Sequence, residues 1–287
     1  GLGDVYKRQQ HNHAQGWPYY SEHLILATPD NGAAIALYAA CKATLKVADG
    51  QEITLHEQTN YPFEEKISFT VNTTEDVRFP FYLRIPSWCD QPELAINGKQ
   101  KEIDPIPGKY IYIDRTWTDG DKVELNLPMK LSIRTWQVNK NSVSVNYGPL
   151  TLSLKINEEY IQKDSRSTAI YDSRWQEGAD ATQWPSYEIF PKSPWNYALV
   201  LDSKVPLKNF KVIRKEWPSD NFPFTVSNVP LEVKAIGKQI PSWTLDKYGL
   251  CSELPETNAP KGDREEITLI PMGAARLRVS AFPNTYE

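Results

Sequence analysis

The sequence predicts a mostly β protein, with two antiparallel β-sandwich domains following a short helical piece. Three observations predict it. Apolar and polar residues alternate in run after run from Ala33 onward, and turn signals such as Asn97-Gly98 and Asp119-Gly120 separate the runs at short spacing. The 22 prolines also fit strand edges and loops better than helix interiors.

The helical piece is expected around Pro18–Leu26, where Tyr19, His23 and Leu26 fall three or four residues apart. Pro29, Asn31 and Gly32 in "TPDNGAA" then stop it. Beyond that point "KISFTV" alternates Ile67, Phe69 and Val71 with polar neighbours, as a half-buried strand does, and "FPFYLRIP" repeats the pattern with Phe81, Leu83 and Ile85. "AINGKQ" places Asn97-Gly98, a strong hairpin signal, between two short runs. "KYIYIDRTW" sets Tyr110 and Tyr112 against Ile111 and Ile113, and after Asp119-Gly120 the run "DKVELNLPM" alternates Val123, Leu125 and Leu127.

"VSVNYGPLTLSLKI" (Val143–Ile156) opens a second β-rich unit, followed by a stretch from Gln162 to Ser186 with few apolar residues and no period, expected as an excursion at a sandwich edge. "YALVLD", "LEVKAI", "EEITLIPM" and "ARLRVSAF" complete the strands. The expected domains are a first sandwich over 33–142, a second over 143–274 and a last strand over 275–287.

A chain of 287 residues with 40% hydrophobic and 24% charged residues holds one large or two medium domains, each able to bury a core. Its net charge of −4 comes from interspersed charges with no basic stripe, which argues against nucleic acid and anionic membrane as partners. No apolar run approaches the ~18 residues of a membrane span. Cys41, Cys89 and Cys251 lie far apart, form no CxxC unit and read as buried free thiols. Asn72-Thr73-Thr74 is a glycosylation triplet of a kind that arises easily by chance. "GLGDVYKRQ" is not a signal peptide, and it resembles translated library sequence, so residues 1–9 are expected to be a non-native leader.

Candidate chemistry is sparse. His11 and His13 sit two apart, a spacing that suits zinc or copper on a strand, but a third ligand would have to come from Glu22 or His23. His56 reads as a surface residue of a strand. Glycoside hydrolysis needs two carboxyl groups held roughly 5–9.5 Å apart. The adjacent pairs Glu64-Glu65 and Glu158-Glu159 face opposite ways on a strand, and Asp119 and Asp121 read as turn chemistry. No GxSxG elbow or glycine-rich phosphate loop is present. Aromatics are the unusual feature, with nine Trp and fifteen Tyr. Exposed ones can stack on the apolar face of a sugar ring, while core and loop-anchoring roles claim most of them.

"NHAQGWP" (Asn12–Pro18), "ATPDNGAAIALYA" (Ala27–Ala39), "FPFYLRIPSW" (Phe79–Trp88), "VNYGPLTLSLKI" (Val145–Ile156), "KSPWNYALVLD" (Lys192–Asp202) and "EEITLIPMGAARLRVSAFP" (Glu265–Pro283) together resemble, in order, the C-terminal part of the β-L-arabinofuranosidase family, glycoside hydrolase family 127. The resemblance implies an α/α barrel that carries catalysis, followed by two β-sandwiches, with the last strand returning to the first sandwich. It makes residues 10–32 a remnant of that barrel, and Asn12, Gln15, Gly16 and Trp17 a motif at its edge.

In the family a Cys-Cys pair precedes this motif. One cysteine is the nucleophile, both bind zinc with a third Cys and a Glu, and a Glu serves as acid/base. Here those cysteine positions fall on Arg8 and Gln9. The expectation is therefore an accessory fragment, inactive alone, with no catalytic residue or cofactor of its own and with zinc in the full-length parent. Carbohydrate would bind through the barrel, and a homodimer of the parent is a further expectation. A stand-alone carbohydrate-binding module is the alternative. No segment names a compartment, with the cytoplasm slightly favoured.

Overall fold

The computed structural model describes residues 15–164, 180–183, 185–247 and 249–287. The mostly β expectation is borne out, with 47% of the described residues in strands and 5% helical. The chain divides into two compact units, Gly1–Lys130 and Leu131–Glu287.

In the first unit the described helix spans residues 15–22 and is exposed along its length. It ends sooner than expected, because the chain turns into the short strand β1 (Ile25–Ala27) instead of continuing to Leu26. The Leu24 carbonyl accepts the Ala36 and Leu37 N–H groups, which ties the helix exit to the chain beyond β2 (Ala33–Ile35). Ile25–Ala27 thus pair with β2, and residues 28–32 form the turn between the two strands.

The strands that follow are β3 (Cys41–Val47), β4 (Gln51–Thr59), β5 (Lys66–Thr73), β6 (Val77–Arg84), β7 (Glu93–Ile96), β8 (Lys99–Lys101), β9 (Tyr110–Trp117) and β10 (Asp121–Asn126). They form a four-stranded sheet, β1-β2-β6-β9, and a six-stranded sheet, β3-β4-β5-β10-β7-β8. All pairings are antiparallel except β2 with β6. Both sheets feed one apolar core. Ile53, Leu55, Ile67, Phe69 and Val123 come from the larger sheet, and Phe79, Phe81, Leu83 and Trp117 from the smaller. Phe69 and Phe81 meet edge to face across it at 5.6 Å. Trp117 is fully buried, and its indole N–H donates to the Phe79 carbonyl at 3.0 Å, so its one polar atom is satisfied. The β7–β8 turn uses Asn97 and Gly98 at φ 50° and 73°, the left-handed pair the sequence signalled.

The second unit begins at Leu131. β11 (Leu131–Trp136) pairs along its whole length with β12 (Ser142–Tyr147), which places it in the second unit. The unit also contains β13 (Leu150–Leu154), β14 (Glu158–Lys163), β15 (Ser186–Pro191), β16 (Tyr197–Leu201), β17 (Lys211–Arg214), β18 (Leu231–Gln239), β19 (Arg264–Pro271) and β20 (Asn284–Tyr286). Its main ladder is a single eight-stranded sheet, β11-β12-β13-β19-β18-β16-β20 with β17 beside β18, while β14 and β15 pair as a separate hairpin. Most of the residues between β14 and β15, the expected edge excursion, lie outside the described residues.

One expectation about the C-terminus is corrected. "ARLRVSAF" is not a regular strand, because side chains take over its backbone groups. The Ser153 hydroxyl accepts the Val279 N–H and donates to the Val279 carbonyl, and Glu158 accepts the N–H groups of Arg276 and Leu277. The closing strand is β20. It pairs in parallel with β16, through Leu199↔Asn284 and Leu201↔Tyr286.

Candidate functional site

The smaller sheet of the first unit buries one face and exposes the other. On β6 and β9 the alternation sends Phe79, Phe81, Leu83 and Ile111 inward and leaves Arg78, Tyr82, Tyr110, Tyr112 and Asp114 outside. Tyr82 and Tyr112 are direct cross-strand partners with ring centroids 5.1 Å apart, and Tyr110 follows on the same face of β9. Tyr110 and Tyr112 are 43% and 56% exposed, so these rings are available to solvent. Ala34 lies beside Tyr82 in the parallel register, a small residue that leaves room over the ring.

The rings are flanked by polar groups held in place. Tyr82 donates its phenolic O–H to Asp30 at 2.6 Å, and the Thr28 hydroxyl donates to the other oxygen of the same carboxylate. These bonds, Thr28 first, hold Asp30 below the usual carboxylate range, while the bond to Asp30 pushes the Tyr82 hydroxyl up to about 12. Near the other end of the strand pair Arg78 grips Asp114 with two hydrogen bonds, at 3.2 and 2.9 Å, which also lower the Asp114 pKa. Thr28, Pro29, Asp30, Ala34, Tyr82 and Tyr110 line an open cleft of about 470 Å³.

A second cluster lies at Glu57. It occupies the core phase of β4, after Ile53 and Leu55, and is 1% exposed. One carboxylate oxygen accepts the Ala39 N–H at 3.0 Å, and the other lies 3.9 Å from the Cys41 Sγ. Burial pushes the Glu57 pKa up to about 8, so the group is largely protonated at neutral pH. Burial, with Glu57 beside it, pushes the Cys41 thiol up to about 11 and raises the hydroxyls of Tyr20 and Tyr38.

A structural zinc site takes four ligands, and Cys41 and Glu57 supply two. Among the described residues no three His, Cys, Asp or Glu side chains are grouped to hold a metal ion. Cys89 is buried, and Cys251 is exposed, against the expectation that all three cysteines are buried.

The residues singled out in the sequence are dispersed. Asn12, His11 and His13 lie outside the described residues. Gln15, Gly16 and Trp17 are exposed on the helix, where Trp17 meets the Tyr20 ring edge to face at 6.3 Å. His23 contacts the Tyr19 carbonyl at 2.6 Å through Nδ1. His56 is exposed, as expected. Asp119 and Asp121 do serve turns: Asp119 accepts the Thr73 N–H, and Asp121 accepts those of Thr118 and the Asn97 side chain. Trp117 and Trp243 are buried, and Trp88 packs partly buried against the first unit's core. The exposed aromatics of the first unit are chiefly tyrosines. Both the tyrosine face and Glu57 were missed, although strand phase marks them: Tyr110 and Tyr112 alternate against isoleucines, and Glu57 continues the phase of Ile53 and Leu55.

These features define the chain as a multi-sheet β protein of two units, one of them carrying an exposed aromatic face. Known proteins narrow the class. Residues 32–129 match the family model described as "Beta-L-arabinofuranosidase, GH127 middle domain", a span that runs from the start of β2 nearly to the end of the first unit. The resemblance named from the sequence is borne out there. Among solved structures the chain is similar to a GH127 β-L-arabinofuranosidase from Geobacillus stearothermophilus T6, at 20% identity and TM-score 0.59, over 92% of this chain and 35% of that one. It is also similar to a glycoside hydrolase, at 20% identity and TM-score 0.57, over 91% and 37% of the two chains. A GH127 β-arabinofuranosidase gives 20% identity and TM-score 0.56, over 90% and 36%. The chain thus spans about a third of the length of these structures, and at that identity the likeness is one of fold. No curated protein matches.

Proposed function

We propose that the chain is the accessory β region of a glycoside hydrolase resembling β-L-arabinofuranosidase, one that acts on terminal L-arabinofuranose or a related sugar. The coincidence of the family match over 32–129 with a structural unit that has its own core carries the reading. In it the first unit is a β-sandwich, and the helix at 15–22 is the close of a catalytic α/α barrel whose edge is marked by Asn12, Gln15, Gly16 and Trp17. The barrel holds the zinc, the nucleophilic thiolate and the acid/base carboxylate and binds the substrate. This chain buttresses it, and the parent is a homodimer. The purified chain should then hydrolyse no aryl β-L-arabinofuranoside and retain no stoichiometric zinc. Turnover above the uncatalysed rate contradicts the reading.

The exposed tyrosine face favours a second reading, that of a carbohydrate-binding module. The two readings differ in where sugar binds: in the parent's barrel alone, or on this chain as well.

A further inference from the structure

We propose that the outer face of the β1-β2-β6-β9 sheet is a binding site for neutral sugars, built on Tyr82, Tyr110 and Tyr112. The proposal deepens the carbohydrate reading above by giving it a location. Three large rings share the open face of a sheet whose other face is largely buried, and an exposed patch of this kind is suited to a ligand or partner. Sugar fits the patch best, because each part of it matches a part of a sugar. The rings offer flat apolar surface for the C–H face of a furanose or pyranose. The Asp30 carboxylate, fixed by Thr28 and Tyr82, and Asp114, fixed by Arg78, offer charged acceptors on either side for hydroxyl groups. Because those carboxylates are already oriented, a ligand does not have to order them.

Charge selects among sugars. Arg78 pairs with Asp114, while Asp30 is held by the hydroxyls of Thr28 and Tyr82 and keeps its negative charge, so the face suits a neutral sugar better than an acidic one. The cleft of about 470 Å³ beside Tyr82 and Tyr110 lies within the range of about 300–1,000 Å³ typical of small-ligand sites.

The test is calorimetric titration of the chain with methyl α- and β-L-arabinofuranosides, arabino-oligosaccharides, xylo-oligosaccharides and galacturonic acid, repeated on Tyr112→Ala, Asp30→Asn and Tyr187→Ala. Tyr187 pairs with Tyr160 on the separate hairpin of the second unit and controls for any exposed tyrosine pair. The expected result is saturable millimolar binding of a neutral sugar, weakened about three- to tenfold by Tyr112→Ala. Asp30→Asn should weaken it too, Tyr187→Ala should leave it unchanged, and galacturonic acid should bind less well. Since Tyr112 is exposed, its variant should keep the wild-type circular dichroism spectrum and melting temperature. Absence of saturable binding to any neutral sugar, or equal binding by wild type and Tyr112→Ala, overturns the proposal. Either result leaves the accessory reading standing, because that reading is tested separately, by turnover of the aryl arabinofuranoside.

Discussion

Replacing Glu57 by Gln should leave the first unit nearly unchanged in acid and stabilise it in base. Gln has the same shape, keeps an oxygen to accept the Ala39 N–H, and cannot ionise. In the folded chain burial holds the Glu57 proton up to about pH 8, against an ordinary value of 4.5. Between those values the folded state binds more protons than the unfolded state, so stability falls as pH rises through the window. At about 1.4 kcal/mol per unit, the full gap is worth about 4–5 kcal/mol above pH 8, with about 3 kcal/mol of it already felt at pH 7 and less than about 1 at pH 5. Hydrogen exchange of peptides covering β4 and β5 reads this locally, and comparing variant with wild type at one pH cancels the intrinsic exchange rates. The variant should match wild type at pH 5 and be far better protected at pH 8 to 9. Equal protection at both pH values, or greater protection of wild type in base, would refute the account of Glu57 as a buried neutral acid.

Two further outcomes follow from particular contacts. In Gly32→Ala the new Cβ would fall 2.2 Å from the Pro80 carbonyl oxygen and 2.6 Å from its ring, so β2 or β6 must shift. A loss of about 2 kcal/mol or more in chemical denaturation is expected. Thiol labelling at pH 8 should proceed fastest at Cys251, which is exposed, and slowly at Cys41, whose pKa is pushed up to about 11, with Cys89 protected by burial until the unit opens. Labelling of Cys41 ahead of Cys251 in a timed mass-spectrometric assay would contradict that order.

Much of the strand content was legible because one buried face imposes a period of two. "KISFTV", "FPFYLRIP" and "KYIYIDRTW" all place their apolar phase in the core. Asn97-Gly98 was legible because a two-residue turn requires the left-handed conformations those residues adopt. The pairing of strands was not, since Leu131–Trp136 alternates like any strand and only the fold sets it beside Ser142–Tyr147. "ARLRVSAF" has strand composition, but Ser153 and Glu158, more than a hundred residues away, take its N–H groups. The parallel pairing of β20 with β16 is equally non-local. The tyrosine face was half legible: the alternation of Tyr110 and Tyr112 showed, but Asp30 joins Tyr82 only through the fold.

The central claim is that this chain is the accessory part of a longer glycoside hydrolase. Reading the gene upstream of the codon for Asn12 tests it most directly. The account predicts an open frame that places a Cys-Cys pair at the positions now held by Arg8 and Gln9, preceded by the helical repeats of a barrel. A start codon immediately before Gly1, with "GLGDVYKRQQ" encoded as it stands, would contradict it.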